Sequence, residues 1–367
     1  MIISLNKILN INKNLIITLL LNFMIGICML YSVAGGSITP WANKQIFYFI
    51  IFIPIASIVA LLNINIYYKL SYYIYAGSLL LLIYVEILGH TAMGATRWIR
   101  IFGFTLQPSE LMKIGLVMAL SKYFMGKNIK QIKQNKYLII PILLILIPVA
   151  LVLKQPDLGT AGILLVIGIG MLFIAGVQWW KFAICGILFL SSLPFVWKYG
   201  LHDYQKKRVE VFLHPEEDPL ESGYNITQSK IAIGSGGLYG KGYLKGTQGQ
   251  LSFLPEKQTD FIFTIFAEEI GFFGIISLII MYIIMLSTIF WISFKSKYTY
   301  GKLFASGLGL IVFLHIFINI GMVTGLLPVV GVPLPLISYG GTMTVVTLIS
   351  FSFILNVDIY KEEEIKD

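Results

Sequence analysis

Residues 259–293 read "TDFIFTIFAEEIGFFGIISLIIMYIIMLSTIFWIS". From Phe261 onward the run stays apolar for longer than the roughly 17–25 residues that a helix needs to cross a bilayer. Asp260 stands at its lip, and Glu268 and Glu269 lie inside it. Carboxylates that close to lipid are costly. Ionisable residues within a span usually face a protein interior and mark a functional site.

Comparable runs recur outward in both directions, near 15–33, 44–62, 72–89, 109–125, 137–153, 158–177, 181–199, 302–326 and 336–357. The chain is 57% apolar, with a mean hydropathy of +0.82, against about 45–50% apolar in soluble domains. Backbone groups in lipid must bond within their own segment, so such runs are helices. The expected fold is an all-α polytopic membrane protein of about ten transmembrane helices. It forms a single integral membrane domain over 1–367, with a large extracytoplasmic loop at about 200–260 between helices 7 and 8. Lys7 and Lys13 precede the first run as they would in a signal peptide. The run is long for one and more spans follow, so it reads as a retained helix.

Lysines set the orientation. Lys127, Lys130, Lys133 and Lys136 fall in one connection, and Lys295, Lys297 and Lys302 in another. The positive-inside rule makes these connections and both termini cytoplasmic. The net charge of +9 is then a topology signal. A nucleic-acid partner is excluded, because no soluble domain carries a basic face interleaved with aromatics. Cys28 and Cys185 fall inside spans and read as apolar fillers. His90, His202, His214 and His315 are scattered, with no zinc spacing. "IKQNK" and "KEEEIKD" read as plain solvated segments.

The glycine-rich stretch "GSGGLYGKGYLKG" is no P-loop, since Lys241 is followed by Gly242 where that motif needs Ser or Thr. It is either an array of turns or a backbone surface that approaches a sugar or pyrophosphate closely. Arg97 and Arg100 lie in a short outer connection, against the usual bias. An anionic ligand at the outer leaflet would account for them, because guanidinium bonds phosphate bidentately. Contact with lipid headgroups would also do so. Trp98 beside them can be an interfacial anchor. Pro108 and Ser109 start a helix, and Glu110 and Lys113 share one of its faces. Lys154 and Asp157 stand at the mouth of the next span, where Asp157 can cap the helix.

Six ordered motifs then carry a resemblance: "GATRWI", "QPSELMKI", "QPDLGTA", "YQKKRVEVFLHPEEDPLESGYNITQSKIAIGSGGLYGKG", "LPEKQTDFIFTIFAEEIG" and "NIGMVTGLLPVVGVPLPLISYGG". Together, over about residues 94–341, they resemble the SEDS family of bacterial shape, elongation, division and sporulation proteins, RodA and FtsW. "PVVGVPLPLISYGG" is closer to the elongation branch than to the division branch. Thr342 stands where the family commonly has serine.

The resemblance implies a peptidoglycan glycosyltransferase of the bacterial cytoplasmic membrane. Its substrate would be lipid II, added to a nascent glycan strand at the outer face. Its partners would be a class B penicillin-binding protein, which crosslinks the strands, and the elongation machinery. It implies Asp260 as the essential aspartate and Trp98 as an important tryptophan. The candidate substrate-binding set is Arg97, Trp98, Glu110, Lys113, Lys154, Asp157, Arg208, Gln228 and Lys230.

The chemistry that the resemblance implies is an inverting attack of a sugar 4-hydroxyl with release of undecaprenyl pyrophosphate. It needs one base, for which Asp260 is suited, and counter-charge for the leaving group from Arg97, Lys113 and Arg208. A divalent cation can share the second task, although no ligand set is legible; no other cofactor is implied. Glu268 and Glu269 read as structural or relay groups. A lipid II flippase, a non-catalytic scaffold for the crosslinking enzyme and a division-type polymerase remain alternatives.

The orientation is open to a direct test. In a Cys28→Ser/Cys185→Ser background, Gln248→Cys should react with an impermeant thiol reagent on intact cells and Gln131→Cys should not. The reverse pattern would invert the topology.

Overall fold

The architecture is taken from a computed structural model that describes residues 11–365 apart from 89, 93–94, 102–103, 201–205, 207–209, 215–221 and 248–253. Eleven principal helices follow one another. They are α1 (Lys13–Val33), α2 (Ala42–Leu61), α3 (Ile64–Leu88), α4 (Pro108–Met125), α5 (Ile139–Lys154), α6 (Leu158–Ile174), α7 (Trp179–Phe195), α8 (Ser222–Ser235), α9 (Ile262–Lys295), α10 (Thr299–Val323) and α11 (Gly341–Ile359). Among the described residues each of the ten apolar stretches is largely helical, and of the eleven helices named here α8 alone lies outside them. Seven helices among the described residues are long and apolar enough to cross a membrane: α1, α2, α3, α5 with its leading turn, α9, α10 and α11. The shorter α6 and α7 are also apolar.

α4 is less apolar for a reason. It is the central helix, packed against α3, α10, α5 and α6, and every residue but Leu111, Lys122 and Met125 is buried. A helix shielded from lipid by its neighbours can hold polar groups that a lipid-facing one cannot. At the other extreme, α7 buries none of its residues.

Lipid tails are as apolar as leucine, so burial alone does not drive helices together in a membrane; close van der Waals contact does. Glycines provide it here. A Cβ on Gly307 of α10 would sit 2.4 Å from Val117 Cγ1 of α4, and one on Gly168 of α6 would sit 2.6 Å from Ile145 of α5.

Two features depart from the sequence reading. The connection after α3 is not an irregular loop. It forms a small antiparallel sheet in the order β1 (His90–Ala92), β2 (Ala95–Ile101), β3 (Phe104–Leu106), with Arg100 opposite Thr105 and Trp98 opposite His90. β-branched and aromatic residues in "TRWI" suit a pleated surface. The C-terminal segment is also more than solvated tail: Ile365 is buried and the Lys361 carbonyl accepts from the Lys297 amide.

The glycine-rich stretch has a structural task. α9 breaks at Gly271, where φ is +79°. The break frees the carbonyls of Glu268 and Glu269 and the amides of Phe272 and Phe273, which a continuous helix would pair with each other. Residues 237–242 take all four. Lys241 N donates to Glu268 O at 3.0 Å, Gly242 N to Glu269 O at 3.0 Å, Phe272 N to Gly237 O at 2.9 Å and Phe273 N to Leu238 O at 3.2 Å. The close approach that the glycines permit is therefore to the protein's own helix.

Gly240 makes this testable. Its φ is +77°, and a Cβ there would meet Glu269 O at 2.1 Å. Gly240→Ala should destabilise the protein by more than about 2 kcal/mol. Gly77→Ala, where a Cβ meets nothing within 4 Å, should be neutral or stabilising by up to ~1 kcal/mol. Thermal unfolding of the detergent-solubilised protein reads both.

Candidate active site

The site is built around the loop between α10 and α11, residues 324–340, and the turn that precedes α9. Asp260 closes that turn. Asn319 of α10 donates from Nδ2 to Asp260 O at 2.9 Å and to Val332 O at 2.7 Å, so one buried amide ties the turn to the loop. Ser338 Oγ adds a bond to Thr259 O at 2.6 Å, and Tyr339 N one to Gln258 O at 2.9 Å.

The Asp260 carboxylate is left for other work. It caps no helix: the cap of α9 is Phe261, with no side-chain bond. Among the described residues the carboxylate has neither a hydrogen-bond nor an ion-pair partner. Oδ2 lies 3.3 Å from where Gly331 would carry a Cβ, so glycine at 331 keeps the space beside it open. Burial, and then the negative charge of Glu256, push its pKa up to about 7. Burial also lowers the pKa of Lys257 on the same turn.

A chain of contacts leads from Asp260 to the sheet. Val330, next to Gly331, packs on Gly159 at the start of α6. Asp157 caps that helix, accepting from Thr160 N at 3.1 Å and Thr160 Oγ1 at 2.9 Å. Arg97 of β2 reaches the same corner. Its Nε donates to Gln155 O at 3.1 Å, a second nitrogen donates to Pro156 O, and its guanidinium lies 3.7 Å from Asp157. Trp98 follows it on β2, half-buried. Thr342 Oγ1 donates to Thr105 O of β3 and so fastens α11 to the sheet.

The other candidates fall in three environments. Lys113 is 1% exposed; its Nζ donates to Glu110 Oε1 and to His315 Nε2, both at 2.7 Å. An ammonium has no lone pair, so the histidine accepts. Lys230 of α8 is exposed and runs across Gly325, its Cε 2.2 Å from where a Cβ would stand. Gln228 on α8 is half-buried, and Lys154 is exposed at the end of α5 with no partner among the described residues. Arg208 lies outside the described residues.

Glu268 and Glu269 are buried away from this site. Glu268 Oε1 accepts from Lys241 Nζ at 2.7 Å and from Thr247 N at 2.9 Å. Glu269 Oε1 accepts from Ser32 Oγ of α1 at 2.5 Å. The sequence reading passed over His315, Asn319 and Glu256. His315 and Asn319 stand at i and i+4 in an apolar run, a spacing that puts two polar groups on one face of α10.

A helical membrane domain with a half-buried carboxylate on an interhelical turn, unpartnered among the described residues and with a lysine on the same turn, defines a class: a polytopic membrane protein with a charged site at one end of its helices. The chain belongs to the family described as Cell cycle protein (FtsW, RodA, SpoVE), whose profile matches residues 12–363. It is similar to the peptidoglycan glycosyltransferase MrdB of Escherichia coli K12, 42% identical over 290 residues, 79% of this chain and 78% of that one. A chain of a peptidoglycan synthase complex, solved for its coordination of polymerization and crosslinking, matches with a TM-score of 0.83 at 29% identity. That match covers 96% of this chain and 99% of that one. The crystal structure of the rod shape determining protein RodA of Thermus thermophilus matches with a TM-score of 0.73 at 26% identity, covering 96% and 98%.

The buried triad yields a stability prediction. Lys113→Met strands the Glu110 carboxylate, whose Oε2 already lacks a partner. It should cost about 3–5 kcal/mol, the usual result of breaking a buried ion pair. Adding Glu110→Gln should recover most of the loss, as read by thermal unfolding. A single variant as stable as wild type would mean that the pair is not buried together.

Proposed function

We propose that this chain is a peptidoglycan glycosyltransferase that polymerises lipid II at the outer face of the bacterial cytoplasmic membrane, in the service of cell elongation. The observation that carries the mechanism is the Asp260 carboxyl, held by its backbone, unpartnered at its side chain and shifted to about 7. Family membership and the likeness to MrdB support the reaction class. In the proposed orientation both termini are cytoplasmic, and α8 with the loop at about 200–260 lies outside.

A general base works best when its pKa lies near the working pH. Asp260 takes the proton from the sugar 4-hydroxyl as its oxygen attacks the anomeric carbon. The bond to pyrophosphate breaks with inversion, and undecaprenyl pyrophosphate leaves. That leaving group is already acidic, so it needs positive charge rather than a proton. Arg97, at the mouth of α6, and Lys230, beside the 324–340 loop, are suited to supply it, with Arg208 as a further candidate. Trp98, Gln228 and Lys154 complete the proposed substrate contacts. Lys113, Glu110 and Asp157 act from behind: Lys113 is buried and held by its two partners, and Asp157 steadies Arg97.

A class B penicillin-binding protein is the proposed partner, in line with the synthase complex to which this chain is similar. A flippase needs its charged site open to both faces; the bonded turn and loop around Asp260 favour a site that opens to one.

Asp260→Asn keeps the shape and removes the proton acceptor. Strand synthesis from lipid II by the purified protein should fall by about 10²–10⁴-fold, with substrate binding retained. Asp260→Glu should keep a fraction. The wild-type rate should rise with pH through about 7 and then level, because the base acts when deprotonated. Stability runs the other way: burial favours the neutral carboxyl, so a contribution present at low pH is lost as pH rises towards 7, and Asp260→Asn should remove that dependence. An active Asp260→Asn enzyme would sink the assignment.

A further inference from the structure

Far from Asp260, the opposite end of α4 leads into a basic collar that the reaction does not use. From Leu111 to His202 the chain contains a single acidic residue, Asp157, and that one caps the start of α6 beside Arg97. The same stretch brings Lys127, Lys130, Lys133, Lys136 and Lys181 together. Lys127 lies 5.5 Å from the Tyr123 ring and 5.3 Å from the Tyr137 ring. Lys136 lies 5.0 Å from that same Tyr137 ring, so two ammonium groups share one aromatic platform. Lys181 Nζ donates to the Lys133 carbonyl at 2.7 Å, which draws the start of α7 onto the collar.

Among the described residues, none of these five lysines pairs with a carboxylate. Two acids at the C-terminal end are committed elsewhere: Asp358 bonds Asn12 and Lys361, and Glu363 bonds Asn63. Like charges gathered without counter-charge repel, and an external anion would relieve them.

The apolar neighbours indicate which anion. Ile129, between Lys127 and Lys130, is 70% exposed, and Trp179 and Trp180, just before Lys181, are 72% and 44% exposed. Exposed tryptophans and lysines at helix ends are the residues of the headgroup level. An acidic peptide in water would have no use for the exposed isoleucine. We propose that this collar binds the phosphate headgroups of anionic phospholipids, with Ile129 and the two tryptophans seated among the acyl chains. The leaflet, cytoplasmic, rests on the orientation proposed above; the binding itself does not, so the two can fail separately.

The test is native mass spectrometry of the full chain in detergent, titrated with phosphatidylglycerol or phosphatidylcholine. Phosphatidylglycerol should be retained preferentially, and excess inorganic phosphate should not displace it. Lys130→Gln/Lys133→Gln/Lys136→Gln should weaken its binding on the order of a hundredfold, at roughly fivefold for each lysine. The matching triple arginine variant should bind like wild type. Should the glutamine variant fold poorly, the salt dependence of the wild type tests the same point: retention should fall as ionic strength rises. Equal retention of the two lipids, retention indifferent to salt, or undiminished binding by a folded glutamine variant would overturn the proposal. Displacement by inorganic phosphate would reassign the collar to a free anion. Binding of a poly-glutamate peptide without any lipid preference would reassign it to an acidic protein segment.

Discussion

One amide holds the candidate site together. Asn319 is fully buried on α10, and its two Nδ2 bonds, to Asp260 O and Val332 O, join the turn before α9 to the loop before α11. In a bilayer, irregular backbone is tolerated only where protein satisfies it. Here the irregular pieces satisfy each other across that amide. Asp260 is therefore positioned through its main chain, and its carboxylate need make no structural bond. A side chain that had to anchor its own loop would carry a lowered pKa and a filled coordination shell. This one has neither.

The same logic recurs on α9. The break at Gly271 would leave four backbone groups of an apolar helix unpaired, and residues 237–242 take up each of them. This explains why glycine stands at 236 and 240, where a Cβ would collide with the helix backbone. It also explains the two acids that follow Asp260. Glu268 and Glu269 stand just before the break, Glu268 bonding the loop's Lys241 and Thr247 and Glu269 bonding Ser32 of α1. Their cost in a low-dielectric setting is offset by latching a discontinuous helix to its neighbours.

Much of this was legible from residue order. Length and hydropathy placed the seven helices that are long and apolar enough to cross a membrane, because lipid leaves the backbone little choice. The pairing of Glu110 with Lys113 follows from helical spacing, and the capping by Asp157 from its position ahead of α6. The β1–β3 sheet was not legible, since its strands are short and alternate weakly. The partner of the glycine-rich stretch was hidden too: a glycine reports that something comes close without saying what. His315 was passed over because, taken alone, it had no metal-like spacing. Its meaning comes from Lys113, 202 positions earlier, a distance across which sequence gives no contact.

The charges of the bundle thus separate by how they are held. Lys113 has two partners, Asp157 has a helix start and an arginine, and Glu268 has a lysine and a threonine. Each is compensated where it stands, and a compensated charge offers little to a substrate. Asp260 is the exception. Its nearest electrostatic influence is a like charge, Glu256, which raises its proton affinity as burial does. Arg97 spends part of its fork on backbone carbonyls at the mouth of α6, yet it remains 28% exposed, and Lys230 lies open beside Gly325. The Asp260 carboxyl and Lys230 adjoin the same loop, and Arg97 stands at the start of α6 on which that loop packs. An anionic donor with a hydroxyl acceptor is the kind of substrate that would complete both, the cations meeting the departing phosphate and the carboxyl the departing proton.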